Sequence, residues 1–138
     1  MFNDLSSPLT LLQTRRSGKP RDLIAPGPDD AQLRQILEVA LRTPDHGKLA
    51  PWRFVIVPRS ERASLAEVFA QALRERDASA TPEQLDQARE KAHRAPLLLL
   101  VVVDGQRGDP AVDLHERILS AGCAVQNMLL MATAMGYG

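Results

Sequence analysis

The sequence predicts an α+β domain, and three observations carry that reading. At 138 residues the chain fits one domain, residues 1–138, on an expectation of roughly 100–200 residues each. Helical and strand patterns alternate along it, with neither a repeat nor a low-complexity stretch. Helical patterns outnumber the two strand patterns. A chain of this size buries roughly two-thirds of its unfolded surface, so it needs neither a disulfide nor a metal to hold a core.

The first helix opens at Ser7-Pro8, a cap followed by a proline where its missing N–H costs nothing. It runs through Leu9, Leu11 and Leu12 to about Arg16, stopped by Ser17-Gly18 and Pro20. A second helix starts at Asp29 or Asp30 and carries Leu33, Ile36, Leu37, Ala40 and Leu41, the spacing of a helix lying on a core. Pro44 ends it. Trp52 to Val57 reads as a strand, dense in β-branched and aromatic residues and closed by Pro58. Ser60 then caps a third helix with an apolar stripe of Leu65, Val68, Phe69, Ala72 and Leu73. Thr81-Pro82-Glu83-Gln84 is a capping box that opens a short polar helix ending before Pro96. Leu97 to Val103 is too short for a helix and rich in Leu and Val, so it reads as a fully buried strand. Asp109-Pro110 opens the last helix, which continues to Met135 and stops at Gly136.

That last helix is charged in its first turns, at Asp113, His115, Glu116 and Arg117, and apolar nearly all round from Ile118 onward. A helix apolar on every side must be covered on every side. Two strands alone make a marginal sheet. The sequence is therefore expected to be incomplete as a self-sufficient fold, needing a partner chain or further residues to cover that helix.

Seventeen Lys and Arg balance seventeen Asp and Glu, which argues against a nucleic-acid or anionic-membrane binder. The aromatics Phe2, Trp52, Phe54, Phe69 and Tyr137 are too few for a base-stacking platform. With one cysteine, Cys123, the chain has no intrachain disulfide and no multi-cysteine metal site; mid-helix between Gly122 and Ala124, it reads as an inert core thiol. The longest apolar run falls far short of the ~20 residues that cross a bilayer, and the first residues carry their charges in the wrong order for a secretory signal. The expected compartment is the cytoplasm, with no membrane and no nucleic-acid partner.

No glycine-rich phosphate loop, zinc-protease helix or nucleophile elbow is present. His46, His93 and His115 lack metal-ligand spacing, so no metal is expected. Any redox chemistry must come from a bound cofactor. Arg15-Arg16-Ser17 can hold a phosphate with two planar forks and a hydroxyl; equally, arginines in a last helical turn complement the helix dipole. Arg42-Thr43-Pro44-Asp45-His46 sets a cation and a titratable ring at the mouth of a loop, or else caps a helix with Arg42 and leaves His46 in solvent.

Together, Arg15-Arg16-Ser17, Arg42-Thr43-Pro44-Asp45-His46, Pro51-Trp52-Arg53-Phe54 and the run from Ser120 to Asn127 leading into Ala132–Gly138 resemble the nitroreductase family. More narrowly, they resemble its short bacterial branch, which shares the Arg-x-Pro-Asp-His segment. The resemblance spans nearly the whole chain in the same order. It implies a three-layer α/β/α architecture with a mixed, mainly antiparallel sheet, here lacking the C-terminal part, and a homodimer binding FMN at the subunit interface. Arg15, Arg16 and Ser17 match the positions that grip the FMN phosphate and its neighbours, and Arg42 and His46 match flavin contacts from the other subunit. Met131, Ala132, Thr133, Ala134, Met135 and Gly136 match a segment assigned to NAD(P)H binding, although a buried helix end explains the same residues without a ligand.

The activity implied is reduction of a small nitroaromatic or quinone-like acceptor by NADH or NADPH through FMN, in ping-pong fashion. No side chain is singled out as catalytic, because the flavin carries the chemistry. Two departures are visible. Ala50 stands where many relatives carry Gln, and the family continues past the Gly136-Tyr137-Gly138 equivalent into further flavin contacts, sheet and a partner-embracing segment. The alternative expectation is a cofactor-free, non-catalytic helical interaction protein on the same scaffold.

Overall fold

The computed structural model describes residues 2–138, as five α-helices and two strands of an α+β fold. Strands β1 (Trp52–Ile56) and β2 (Leu99–Val103) pair antiparallel. The register is fixed at its ends by Asp104 N–H donating to the Pro51 carbonyl (2.7 Å) and Val57 N–H to that of Leu98 (3.0 Å). β2 is not fully buried as expected: Leu100 and Val101 are 37% and 40% exposed, because a strand with one neighbour keeps an open edge. The chain divides into two compact units. One comprises Met1–Gly18, Pro28–Val55 and Val101–Gly138; the other comprises Lys19–Gly27 and Ile56–Leu100.

In the first unit, helix α1 (Pro8–Thr14) starts as expected. Ser7 Oγ accepts from Thr10 N–H (3.1 Å), and the Thr10 hydroxyl reciprocates toward the Ser7 N–H (3.0 Å). It ends two residues before Arg16, because the preceding segment folds back and takes over its last groups. Asn3 N–H donates to the Thr14 carbonyl (3.1 Å), and Asn3 Oδ1 accepts from Arg16 N–H (2.8 Å).

Helix α2 (Asp30–Ala40) is capped by Asp29, whose carboxylate accepts from Gln32 N–H (2.8 Å), and buries Leu33, Ile36 and Ala40 against α5 (Leu114–Ala134). The expected stripe stops there. Leu41 is 68% exposed, since residues 41–43 tighten into a turn with i to i−3 hydrogen bonds.

α5 starts four residues after Asp109-Pro110, at a cap formed by Asp113 accepting from His115 N–H (2.7 Å). Asp109 is committed elsewhere. Its carboxylate accepts from Ala111 N–H (2.8 Å) and its carbonyl from Arg117 Nη2 (2.7 Å). Arg117, 1% exposed, also donates to the carbonyls of Val112 (3.0 Å), Asp104 (3.4 Å) and Arg107, pinning the whole β2–α5 connection. At the other end Gly136 is left-handed (φ 88°). Its N–H donates to the Thr133 carbonyl and that of Tyr137 to Ala132, both at 2.9 Å, the paired bonds of a glycine-terminated helix. Ile118, Leu119 and Leu129 of α5 are 50%, 70% and 46% exposed. Cys123 is exposed as well, so it is not the core thiol expected. Among the described residues no helix is long and apolar enough to cross a membrane.

In the second unit, Ser60 lies inside a short 3₁₀ turn (Arg59–Glu61) and does not cap helix α3 (Arg62–Arg76). The buried stripe of α3 is Arg62, Ala66 and Ala70 rather than the larger residues expected. Alanines let α4 (Pro82–Glu90) and the turn after it approach closely through Ala88 and Ala92, leaving Leu65, Phe69 and Leu73 half-buried at the flanks and Val68 exposed. α4 opens on the expected box, Thr81 N–H donating to Gln84 Oε1 (2.8 Å) and Gln84 N–H to Thr81 Oγ1 (3.3 Å). Arg62 donates to the carbonyls of Ala92 (3.3 Å), Ala95 (2.5 Å) and Pro96 (2.9 Å), which closes the carboxyl end of that helical segment.

Candidate functional site

All the residues singled out from sequence lie in the first unit, in three places. The first is the end of α1. Arg15 Nη1 donates to Ser17 Oγ (3.1 Å), and the Arg16 guanidinium lies 5.6 Å from the centre of the Phe2 ring, a cation–π distance. Among the described residues no carboxylate forms an ion pair with either guanidinium. Two neighbouring cations and a hydroxyl therefore keep most of their donors uncommitted.

The second place is the loop between α2 and β1, held down by α5. Asn127 Nδ2 donates to the hydroxyl of buried Thr43 (3.0 Å), and Ser120 Oγ donates to the Pro44 carbonyl (3.0 Å). His46 Nδ1 lies 2.6 Å from Glu116 Oε2. Glu116, Ser120 and Asn127 are spaced by four and seven residues, which puts them on one face of the helix. The loop also closes on itself, with Ala50 N–H donating to Asp45 Oδ2 at 2.5 Å. Gly47, Lys48 and Ala50 are left-handed, with φ of 71°, 53° and 43°. For Ala50, directly before a proline, that conformation is a strained one. The hydrogen bond to Glu116 and then the Glu116 charge raise the His46 pKa against a smaller opposition from desolvation, with the least help from Asp109 and Asp45. Arg42 is exposed in the turn before this loop.

The third place is the last turn of α5. Met131 lines an open groove of about 580 Å³ with Arg42, Gln35, Glu38, Val39 and Leu41. The Ala132 and Thr133 carbonyls and the Gly136 N–H are spent on the helix cap, and Thr133 Oγ1 donates to the Leu129 carbonyl (2.8 Å). The structure thus brings Arg42 and Met131 to one groove and places His46 on Glu116. Among the described residues no hydrogen bond or ion pair joins Arg15–Ser17 to either. Glu116, Ser120 and Asn127 were given no role from sequence; the available signal was polar residues at helical spacing on an otherwise apolar helix. Among the described residues no cluster of three or more His, Cys, Asp or Glu is placed to hold a metal.

Residues 12–138 match the family model described as Nitroreductase family. The chain belongs to that family. A protein of Haemophilus influenzae named "Putative NAD(P)H nitroreductase" is 40% identical over 129 residues, covering 94% of this chain and 68% of that protein. YdjA of Escherichia coli K12, which carries the same description, is 35% identical over 130 residues with the same coverage. Among solved structures, a nitroreductase with bound FMN from Desulfitobacterium hafniense aligns with a TM-score of 0.58 at 22% identity, over 84% of this chain and 60% of that one. At that identity the likeness concerns the fold. The chain spans about two-thirds of the length of the curated relatives and less of the solved one.

Proposed function

We propose that this chain forms the FMN-binding body of an NAD(P)H-dependent oxidoreductase that reduces small nitroaromatic or quinone-like acceptors. One observation carries the reading: Arg15 donates to the Ser17 hydroxyl, Arg16 follows it in the chain, and among the described residues no carboxylate is paired to either guanidinium. An uncompensated pair of planar cations fits a phosphate monoester of about two negative charges, the tail of FMN. The relatives' names support the electron donor, and the solved nitroreductase of like fold with bound FMN supports the cofactor.

FMN, when bound, supplies the two-electron chemistry that no side chain here can supply. The chain's residues bind and orient. Arg15, Arg16 and Ser17 would hold the phosphate, while Arg42 and, when protonated, His46 would offer positive charge to a reduced flavin. The nicotinamide leaves before the acceptor takes its place, the ping-pong order. The bare face of α5 at Ile118, Leu119 and Leu129 supports a homodimer, since dimer interfaces of this kind resemble a domain core cut in half.

The test is FMN titration of the purified protein, followed by flavin absorption and fluorescence. The wild type turns yellow and is bleached by NADH or NADPH. Arg15→Ala weakens FMN binding about 10- to 100-fold, the worth of a charge-assisted hydrogen bond, with thermal unfolding unchanged. Unchanged FMN affinity in that variant overturns the phosphate role. A protein that stays colourless in excess FMN returns the scaffold to the interaction-protein reading.

A further inference from the structure

We propose that Glu116 is the positioning residue for His46: by accepting the Nδ1–H it fixes the ring and leaves Nε2 as the one nitrogen free to meet the cofactor. The inference rests on the reading of His46 as a cofactor contact.

Three features of the structure converge on it. First, the contact is 2.6 Å, as short as the tightest charge-assisted bonds, and it joins residues 70 apart in sequence. Second, Glu116 is the first member of a polar row on α5 that grips the loop at successive points. Asn127 takes the Thr43 hydroxyl and Ser120 the Pro44 carbonyl, so the backbone leading to His46 is already located before the ring is oriented. Third, the residues after His46 are left-handed at positions 47, 48 and 50 and tied back to Asp45, a conformation the surroundings must hold in place.

The chemistry follows from the imidazole's two nitrogens. A carboxylate can only accept, so Nδ1 must carry a proton whenever the pair is formed. In the neutral ring Nε2 is then an acceptor, and in the charged ring a donor. The ionisable groups acting on His46 are Glu116 on α5, Asp109 in the turn before α5 and Asp45 on its own loop; all three are carboxylates and all favour the charged ring. Below the raised pKa of His46 the loop presents an N–H and a positive charge together. That pairing suits the more negative, reduced form of a bound flavin. Glu116 touches neither cofactor nor substrate in this scheme. It acts through the ring, as a carboxylate behind a metal-ligating histidine does.

The experiment is an NMR titration of the His46 ring in the purified protein, with FMN affinity and flavin midpoint potential measured beside it. In the wild type His46 titrates above the ordinary histidine value of 6.5. Glu116→Gln shifts that titration downward, Glu116→Ala shifts it further, and Glu116→Asp restores part of the shift. Both carboxylate-free variants bind FMN up to about tenfold more weakly near neutral pH and make the flavin potential more negative, in line with the loss of one hydrogen bond to a charged group. Glu116 is about half exposed (48% of its side chain), so these variants are expected to fold and the titration remains readable. A His46 titration unchanged in Glu116→Ala overturns the proposal. A titration that shifts as expected, combined with unchanged FMN affinity and potential in His46→Gln, overturns the cofactor reading of His46 instead, so the two failures are told apart.

Discussion

At the amino end of α5, Arg117 spends its guanidinium on the carbonyls of Asp104, Arg107, Asp109 and Val112, whereas at the carboxyl end of α1, Arg15 and Arg16 leave most of their donors unspent. Arg62 in the second unit resembles Arg117: it is buried, bonded to three carbonyls and paired with no carboxylate, although its Nε finds no partner among the described residues. The residue type is the same in both regions, but the commitment of its donors differs. A guanidinium saturated by backbone carbonyls is part of the fold. One with neither kind of partner among the described residues keeps its donors open, as the proposed phosphate role requires.

The largest effect expected from this contrast is at Arg117. Arg117→Leu removes a buried guanidinium that four carbonyls share, and should cost about 3–5 kcal/mol of stability in urea unfolding. A loss below 1 kcal/mol would erase the distinction. Arg62→Leu should cost less, because the orphaned Nε already makes that site imperfect. Next comes Ser7→Ala, which removes the cap of the helix that presents Arg15. The cost is about 1 kcal/mol, read by chemical denaturation, and FMN retention should fall with it as α1 frays. Smaller still is the His46–Glu116 pair. Because folding raises the His46 pKa, its contribution to stability is complete below pH 6.5 and disappears as pH rises through the raised value; a pH series of unfolding midpoints, compared with Glu116→Gln, shows the difference. The smallest change is the stability of Arg15→Ala, expected within about 0.5 kcal/mol of wild type.

Much of the fold was legible because its signals are local. Thr81-Pro82-Glu83-Gln84 and Ser7-Pro8 need only a few residues to define a helix start, and Gly136 needs none but its own freedom to adopt φ of 88°. The start of α5 was not legible, because Asp109 and Asp113 are equally good caps on local grounds. The choice falls to Asp113 because Arg117 reaches back and claims the Asp109 carbonyl. The α3 stripe was misread for a related reason: close approach to α4 selects Ala66 and Ala70 over the bulkier Leu65 and Phe69. Of the candidate site, Arg15, Arg16, Ser17, Arg42 and His46 stood out in the sequence through ordered motifs. Ser120 and Asn127 stood out only as the ends of a motif; that they and Glu116 grip the loop did not, since their partners lie 70 to 84 residues away and a single sequence carries no record of such pairings.

The exposed side of α5 has one practical consequence. Cys123 is the only sulfhydryl in the chain and projects from the same long helix as Leu119 and Leu129. A maleimide dye therefore attaches at a single known point. How fast it reacts becomes a direct gauge of whether that hydrophobic stretch is bare or shielded, without any need to measure mass or turnover.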